Sequence, residues 1–91
     1  MQVILNTMSA VFRLAELRKG QRAVVERVEG ERSTACRLLE LGLVAGTELR
    51  LTHVAPFGDP LRVELRGYGL LLRRKEAHSI WVKAHPAGEE R

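Results

Sequence analysis

Apolar and polar residues alternate along several short segments of the chain, the pattern of β-strands that turn one face to water. The alternation is strict over residues 61–66 and clear over 47–55, and valines dominate residues 21–29. Leucine- and isoleucine-containing strands are predicted over 70–74 and 79–83. We therefore predict a mostly β fold: about five short antiparallel strands curled into a small barrel, whose closure hides the strand edges.

The first of these strands alternates imperfectly. Val25 lies on the opposite parity from Val24 and Val28. A β-bulge, which inserts one extra residue into a strand, would reconcile these positions.

One segment, residues 31–41, has helical periodicity and predicts a single short helix. Its buried face is predicted from apolar residues three and four positions apart, Ala35, Leu38 and Leu39. Gly42 is placed to end the helix in a left-handed conformation, with Leu43 packing back on the last turn. Single helical turns are expected over 14–17 and 75–78.

Glycine and proline mark the remaining connections. Residues 56–60, which hold two prolines and a glycine, predict a loop. Residues 67–69 predict a short turn, and the strands on either side of it predict a hairpin.

The length of 91 residues suits one domain with a modest core. We assign residues 13–84 to this domain, residues 1–12 to an N-terminal extension, and residues 85–91 to a polar tail. Met8 is an alternative start, since the periodic part of the chain begins only near Phe12. No apolar run approaches the roughly 20 residues that span a bilayer, so the chain is not expected to be membrane-embedded.

The single cysteine, Cys36, excludes an intrachain disulfide and favours a reducing compartment, the cytoplasm. A formal net charge of +4 and a pI of about 10.0 come from arginines spread along the chain. Nucleic-acid binders usually concentrate such charge in a patch, so no nucleic acid is expected as a partner.

No catalytic constellation is present in the sequence, and we predict that the chain is not an enzyme. It has neither a P-loop nor a Gly-x-Gly-x-x-Gly motif. Cys36 is interpreted as a buried or half-buried structural thiol of the helix.

No resident cofactor or metal is predicted. His53 is in phase with Leu49 and Leu51 and is interpreted as a histidine at the edge of the core. Together with His78 and Glu76 it is a weak candidate for transient Fe²⁺ binding, because imidazole and carboxylate suit that metal.

The few aromatic residues, 4% of the chain, are candidates for contacts with a partner. If Phe57 or Trp81 is exposed beside Arg73 or Arg74, the pair forms an interaction patch, because interfaces favour aromatic residues and arginine. The alternative for Trp81 is a structural role, closing one end of the barrel.

Four motifs in order carry a resemblance to a known family. They are Leu14-x-x-Leu17-x-x-Gly20, Arg37-Leu38-x-x-Leu41-Gly42-Leu43-x-x-Gly46, Ala55-Pro56-x-Gly58-Asp59-Pro60-Leu61 and Leu72-Arg73-x-x-Glu76-Ala77-x-x-Ile80-x-Val82. Over residues 13–83 the chain resembles the FeoA family. The resemblance implies an SH3-like barrel and an accessory role beside FeoB, a membrane ferrous-iron transporter with a cytoplasmic GTPase domain.

The resemblance also implies roles for particular residues. The shaping residues of its turns are Gly42, Gly46, Pro56, Gly58, Asp59 and Pro60. Leu38, Leu39 and Leu43 would be core or the edge of a groove, so Leu43 is also a candidate contact.

The expected function is a non-catalytic accessory of ferrous-iron uptake that contacts the cytoplasmic part of a FeoB-like transporter. The alternative is a basic small barrel that binds nucleic acid or a peptide. The sequence leaves the oligomeric state open, and a homo-oligomer is compatible with it.

Overall fold

Six antiparallel strands form one sheet in the structure, a computed structural model that describes the backbone of residues 10–89 and the side chains of residues 10–85. The strands are β1 (Val11–Arg13), β2 (Gln21–Val28), β3 (Glu48–Val54), β4 (Leu61–Leu65), β5 (Tyr68–Leu72) and β6 (Ile80–Glu89). They lie in the order β1-β6-β2-β3-β4-β5. The predicted mostly antiparallel fold is confirmed.

The strand count was one too low because β1 is only three residues long, too short to show an alternating pattern. It pairs with β6 and lies largely inside the stretch interpreted as an extension. Over the described residues β1 and β5 are the edge strands of the sheet, and each pairs with one neighbour. The two edges are not paired with each other, unlike in the closed barrel that was predicted.

Two helices and two single 3-10 turns connect the strands. Helix α1 (Arg32–Glu40) joins β2 to β3, and α2 (Arg74–Ala77) joins β5 to β6. The 3-10 turns are Leu14–Glu16 after β1 and Pro56–Gly58 after β3. In the described part of the chain, no helix combines the length and the apolar character needed to cross a membrane.

Helix α1 ends as predicted. Gly42 has a φ of 105°. Its N–H donates to the Leu39 carbonyl at 3.0 Å, and the Leu43 N–H donates to the Leu38 carbonyl at 3.1 Å. This pair of bonds is the Schellman arrangement, which satisfies carbonyls that the helix leaves unpaired. A Cβ at Gly42 would also lie 2.9 Å from the Tyr68 hydroxyl, so a larger residue would strain the backbone and displace that hydroxyl.

Only one row of α1 faces the core. Leu38 is fully buried, whereas 43% of Leu39 is exposed. Cys36 is exposed as well, so its interpretation as a buried or half-buried thiol is wrong. The physical reason is angular: Cys36 precedes Leu38 by two residues, which is about 200° around the helix.

The core is aliphatic. Its buried apolar side chains form one cluster drawn from the sheet, from both helices and from the connections, namely Leu14, Leu17, Ala23, Val25, Leu38, Leu43, Leu49, Leu51, Leu61, Val63, Leu65, Leu72, Ala77, Ile80 and Val82. The aromatic residues all lie outside this set, and only Phe12 packs against it from a partly buried position. Strand β4 alternates as predicted, with Leu61, Val63 and Leu65 inward.

Of the three register shifts in the described part of the sheet, two decide which side chains face the core. In β2 the pairing with β6 shifts between Val25 and Arg27, which turns both Val25 and Val28 toward the core. The predicted bulge is therefore confirmed. In β3 the pairing with β4 shifts between Leu51 and His53.

The second shift overturns the interpretation of His53 as a histidine at the edge of the core. Leu49 and Leu51 are buried, but His53 is exposed. The extra residue at the shift turns its imidazole to the outer face.

The β4–β5 hairpin turns one residue earlier than predicted. Leu65 pairs with Tyr68, so the turn consists of Arg66 and Gly67. Their φ values are 52° and 85°, as in the type I′ turn that suits the twist of a hairpin. Tyr68 and Gly69, predicted to lie in the turn, belong to β5.

Strand β6 is longer than predicted and continues through Glu89, which pairs with Gln21. The alternative start at Met8 falls outside the described residues. The domain boundaries at residues 12, 13, 84 and 85 stay a prediction.

We expect L38A to lower the free energy of unfolding by about 2–5 kcal/mol, because it removes fully buried apolar volume. The neighbouring L39A is the matched control and should cost about 1 kcal/mol or less, because its side chain is half-exposed. Urea denaturation measures both values. Equal losses would contradict the orientation of α1.

Candidate functional site

A loop between β3 and β4 presents the most exposed apolar side chain of the described residues. Phe57 has a relative exposure of 105%, as in a free peptide. Its φ is 69°, in the left-handed region that side chains other than glycine seldom adopt. The loop is closed by hydrogen bonds from Ala55 N–H to the Pro60 carbonyl at 3.0 Å and from Gly58 N–H to the Ala55 carbonyl at 2.8 Å.

Arg74, at the start of α2, holds this loop from the other side. Its Nε donates to the Gly58 carbonyl at 2.7 Å, and its Nη1 donates to the Ala15 carbonyl at 2.9 Å. Its main-chain N–H donates to Asp59 Oδ1 at 3.0 Å. A Cβ at Gly58 would lie 3.2 Å from the Arg74 Nε, so the guanidinium fits closely over that glycine. We call Phe57, Gly58, Asp59 and Arg74 the clamped loop.

Phe57 is exposed on the loop that Arg74 holds, but Arg74 contacts the Gly58 carbonyl and not the ring, so the predicted interaction patch stays a prediction. The other predicted shaping residues also have structural positions. Pro56 begins the 3-10 turn and Pro60 ends the loop before β4. Gly46 has a φ of 91° in the connection before β3.

Trp81 lies on the outer side of the sheet, paired with different arginines from those predicted. The Arg13 guanidinium carbon lies 4.3 Å from the ring centroid, and that of Arg27 lies 5.0 Å away. The indole Nε1 donates to Glu29 Oε1 at 2.9 Å, and Arg27 Nε donates to Glu29 Oε2 at 2.8 Å. Trp81 neither fills the core nor lies against Arg73 or Arg74. We call Trp81, Arg13, Arg27 and Glu29 the tryptophan cluster.

The cluster stabilises the ionised form of its carboxylate. The pKa of Glu29 lies below its ordinary value, first because of the hydrogen bond from Arg27 and then because of the bond from Trp81. Sequence reasoning missed Arg13, Arg27 and Glu29. The pairing of Arg27 with Trp81 follows from the register shift in β2, which no local pattern specifies.

The histidines and Glu76 do not come together as predicted for transient iron binding. The described residues contain no group of three or more His, Cys, Asp or Glu side chains that could hold a metal ion. Glu76 is instead engaged by the Arg37 guanidinium and accepts the Arg73 main-chain N–H at 2.9 Å. His53 and His78 are both exposed.

Two further candidates have clear positions. Leu43 is fully buried, so it is removed from the set of contact residues and belongs to the core. Arg73 is exposed and lines a shallow depression between α1 and α2 together with Lys75 and Thr34.

A second open depression lies across β2, β3 and β4 and is lined by charged residues. Arg22 and Arg50 are direct cross-strand partners, a like-charge pair that is unfavourable by itself. Glu64 offsets it, since its carboxylate accepts from Arg50 Nη2 at 3.1 Å and from Arg62 Nη1 at 3.5 Å. The alternating charges describe a solvated outer face of the sheet.

Comparison with known proteins identifies the family. The model of the FeoA domain matches residues 12–84. The chain belongs to the FeoA family. The predicted resemblance is confirmed, and the match begins in β1 and reaches into β6.

Relatives of known structure agree with this assignment. The FeoA protein from Chlorobium tepidum is 42% identical with a TM-score of 0.75, over 80% of this chain and 70% of that one. FeoA of Stenotrophomonas maltophilia, solved with zinc and described as an SH3 domain protein, is 37% identical with a TM-score of 0.69, over 88% of this chain and 96% of that one. The SH3-like fold expected from the resemblance is therefore confirmed.

A relative of different architecture is the Fe(2+) transport protein A/Fe(2+) transporter FeoB fusion protein of Porphyromonas gingivalis. It is 39% identical over 72 residues, which make up 79% of this chain. The chain spans only 8% of the length of that fusion protein.

We expect R74K to loosen the clamped loop, because an ammonium group cannot reproduce the two divergent guanidinium bonds to Gly58 and Ala15. The free energy of unfolding should fall by about 1 kcal/mol. Amide hydrogen exchange at Gly58 should accelerate. The matched control is R73K, since the Arg73 guanidinium takes no part in the clamp. Equal exchange rates at Gly58 in R74K and R73K would contradict the role of Arg74 in holding the loop.

We expect the tryptophan cluster to make stability depend on pH in the acid range. Because the folded-state pKa of Glu29 lies below the ordinary value of 4.5, its contribution is complete above that pH and is lost as the pH falls through the folded-state pKa. Thermal unfolding midpoints at neutral pH and at about pH 3 should therefore differ less in E29Q than in the wild type. E16Q makes the same charge change at an exposed site outside the cluster. An unaltered pH dependence in E29Q would refute the expectation.

Proposed function

We propose that this chain is a non-catalytic accessory of ferrous-iron uptake, and that it acts by contact with the cytoplasmic part of a FeoB-like transporter. The observation that carries the proposal is the fusion relative, in which a counterpart of this domain and a FeoB transporter belong to one polypeptide. Two activities joined in one chain are held at high effective concentration, which suits partners that work in contact.

The chemistry of the described residues supports a role at the outer surface. The ionisable groups with defined partners serve the fold: Glu76 binds Arg37, Glu29 binds Arg27 and Trp81, and Arg74 binds backbone carbonyls. Phe57 is the large apolar side chain that the fold presents outward most fully, and it takes no part in packing. This distribution fits a protein that works through binding.

The same proposal includes the location. Contact with the cytoplasmic part of the transporter requires this chain in the cytoplasm, and the single cysteine is typical of that reducing compartment.

We expect the immobilised full-length chain to retain the cytoplasmic part of the FeoB-like transporter from the same genome. The experiment is run with GTP, with GDP and without nucleotide, because the transporter carries a GTPase domain. Retention in at least one state is the expected result, and no retention in any state would contradict the proposal.

Charge attraction is the main source of false retention, because the chain has a net charge of +4. The matched control is an unrelated small β protein of similar pI, immobilised at the same density. Retention should persist at about 0.5 M salt, where the Debye length is shorter than roughly 5 Å. Duplex DNA offered in the same assay tests the alternative, since binding that falls steeply with salt is typical of nucleic-acid contacts.

A further inference from the structure

We propose that Phe57 is the central anchor of the contact with the transporter, and that its ring enters an apolar pocket on the transporter's cytoplasmic part. The inference rests on the proposed function and assigns the contact to one loop of the barrel. Three observations support it: the exposure of the ring, the backbone conformation of Phe57 and the rigidity of the clamped loop.

The exposure of Phe57 separates it from the other large apolar residues of the described chain. The next most exposed large hydrophobic side chains are 37–63% exposed and lie on strands or on α1. Phe57, at 105%, contributes no packing to the fold. Removing a phenyl ring from water is among the largest gains that a single side chain can bring to an interface.

The backbone conformation of Phe57 also supports a role in binding. A φ of 69° is favourable for glycine and tolerable for asparagine, but unfavourable for a bulky side chain. The following residue, Gly58, also has a positive φ, 82°, and there the sequence uses glycine. Phenylalanine at this strained, fully solvated position does not stabilise the folded state. Asparagine or glycine, which tolerate a positive φ, would stabilise it more.

The clamped loop fixes the backbone from which this ring projects. Asp59 accepts the Arg74 N–H, the Arg74 guanidinium binds the Gly58 carbonyl, and Gly58 N–H binds Ala55. A side chain on a loop that is already ordered loses less conformational entropy when it binds. Aromatic side chains are typical anchors of protein interfaces.

The same details favour a protein pocket over a lipid surface. Phe57 is the one large apolar side chain on its loop, and the adjacent cation, Arg74, directs its donors to the Gly58 and Ala15 carbonyls. Peripheral membrane binding draws on several apolar side chains or on a cluster of free cations near the surface. One ring seated in a matching pocket gives a specific contact without either.

Calorimetric titration with the cytoplasmic part of the transporter tests the assignment, using the full chain and three variants. F57A removes the ring. F57N removes it and also suits the positive φ. L71A is the matched control, because Leu71 is an exposed apolar residue on β5, outside the clamped loop. We expect F57A and F57N to weaken binding at least tenfold and L71A to change it less than twofold.

Thermal unfolding of the same samples separates binding from folding. We expect the F57N midpoint to equal or exceed that of the wild type, since the substitution relieves an unfavourable φ. Weak binding by a variant that is at least as stable as the wild type would confirm Phe57 as a contact residue. A midpoint clearly below the wild type would overturn the claim that the ring is dispensable for folding.

The remaining outcomes separate this inference from the proposed function. If the wild type binds and F57A and F57N bind equally well, the anchor is overturned and the proposed function stands. If the wild type does not bind, both are overturned. Phe57-dependent sedimentation with phosphatidylcholine/phosphatidylglycerol vesicles, without binding to the transporter fragment, would assign the ring to a membrane and also overturn the proposal.

Discussion

The register shift between Val25 and Arg27 in β2 is the constraint on which the rest of the barrel depends. Ala23, Val25 and Arg27 share one parity, so an unbroken strand would direct a guanidinium into an aliphatic core, where an unpaired charge costs several kcal/mol. The extra residue before Arg27 turns that side chain outward and places it opposite Trp81. The shift in β3 turns His53 outward in the same way. Bulges also bend and twist strands, which helps a six-stranded sheet to curl around a small core.

Because the core is aliphatic, every aromatic residue lies at its edge or outside it. The hydrogen bonds of the two aromatic residues with polar atoms show their structural roles. The Tyr68 hydroxyl donates to the Leu41 carbonyl, next to the end of α1. The Trp81 indole donates to Glu29, and two guanidinium groups lie against its ring. Both rings therefore brace the fold. Phe57 has no polar atom and no packing, so its position has no equivalent explanation within the chain.

Much of the fold follows from local pattern. The alternation of Leu61, Val63 and Leu65 and the stop at Gly42 depend on residues a few positions apart, so the sequence displays them directly. The tryptophan cluster is different, because Arg13, Arg27 and Trp81 belong to three strands and their meeting depends on register. The exposure of Leu39 shows the same limit of local pattern. Periodicity predicts that a helix has an apolar face, but packing determines how much of that face the core covers.

Arg74 joins three parts of the chain that lie far apart in sequence: the first 3-10 turn at Ala15, the loop at Gly58, and α2 itself. Two carbonyls lying in different directions require a planar group with several donors, which is why arginine suits this position and lysine does not. The neighbours of Phe57 are therefore constrained by fit. Gly58 must admit the guanidinium and Asp59 must accept the Arg74 N–H, whereas the Phe57 side chain contacts nothing. A scaffold that fixes the backbone at this site and leaves one side chain unconstrained allows that side chain to change without changing the fold.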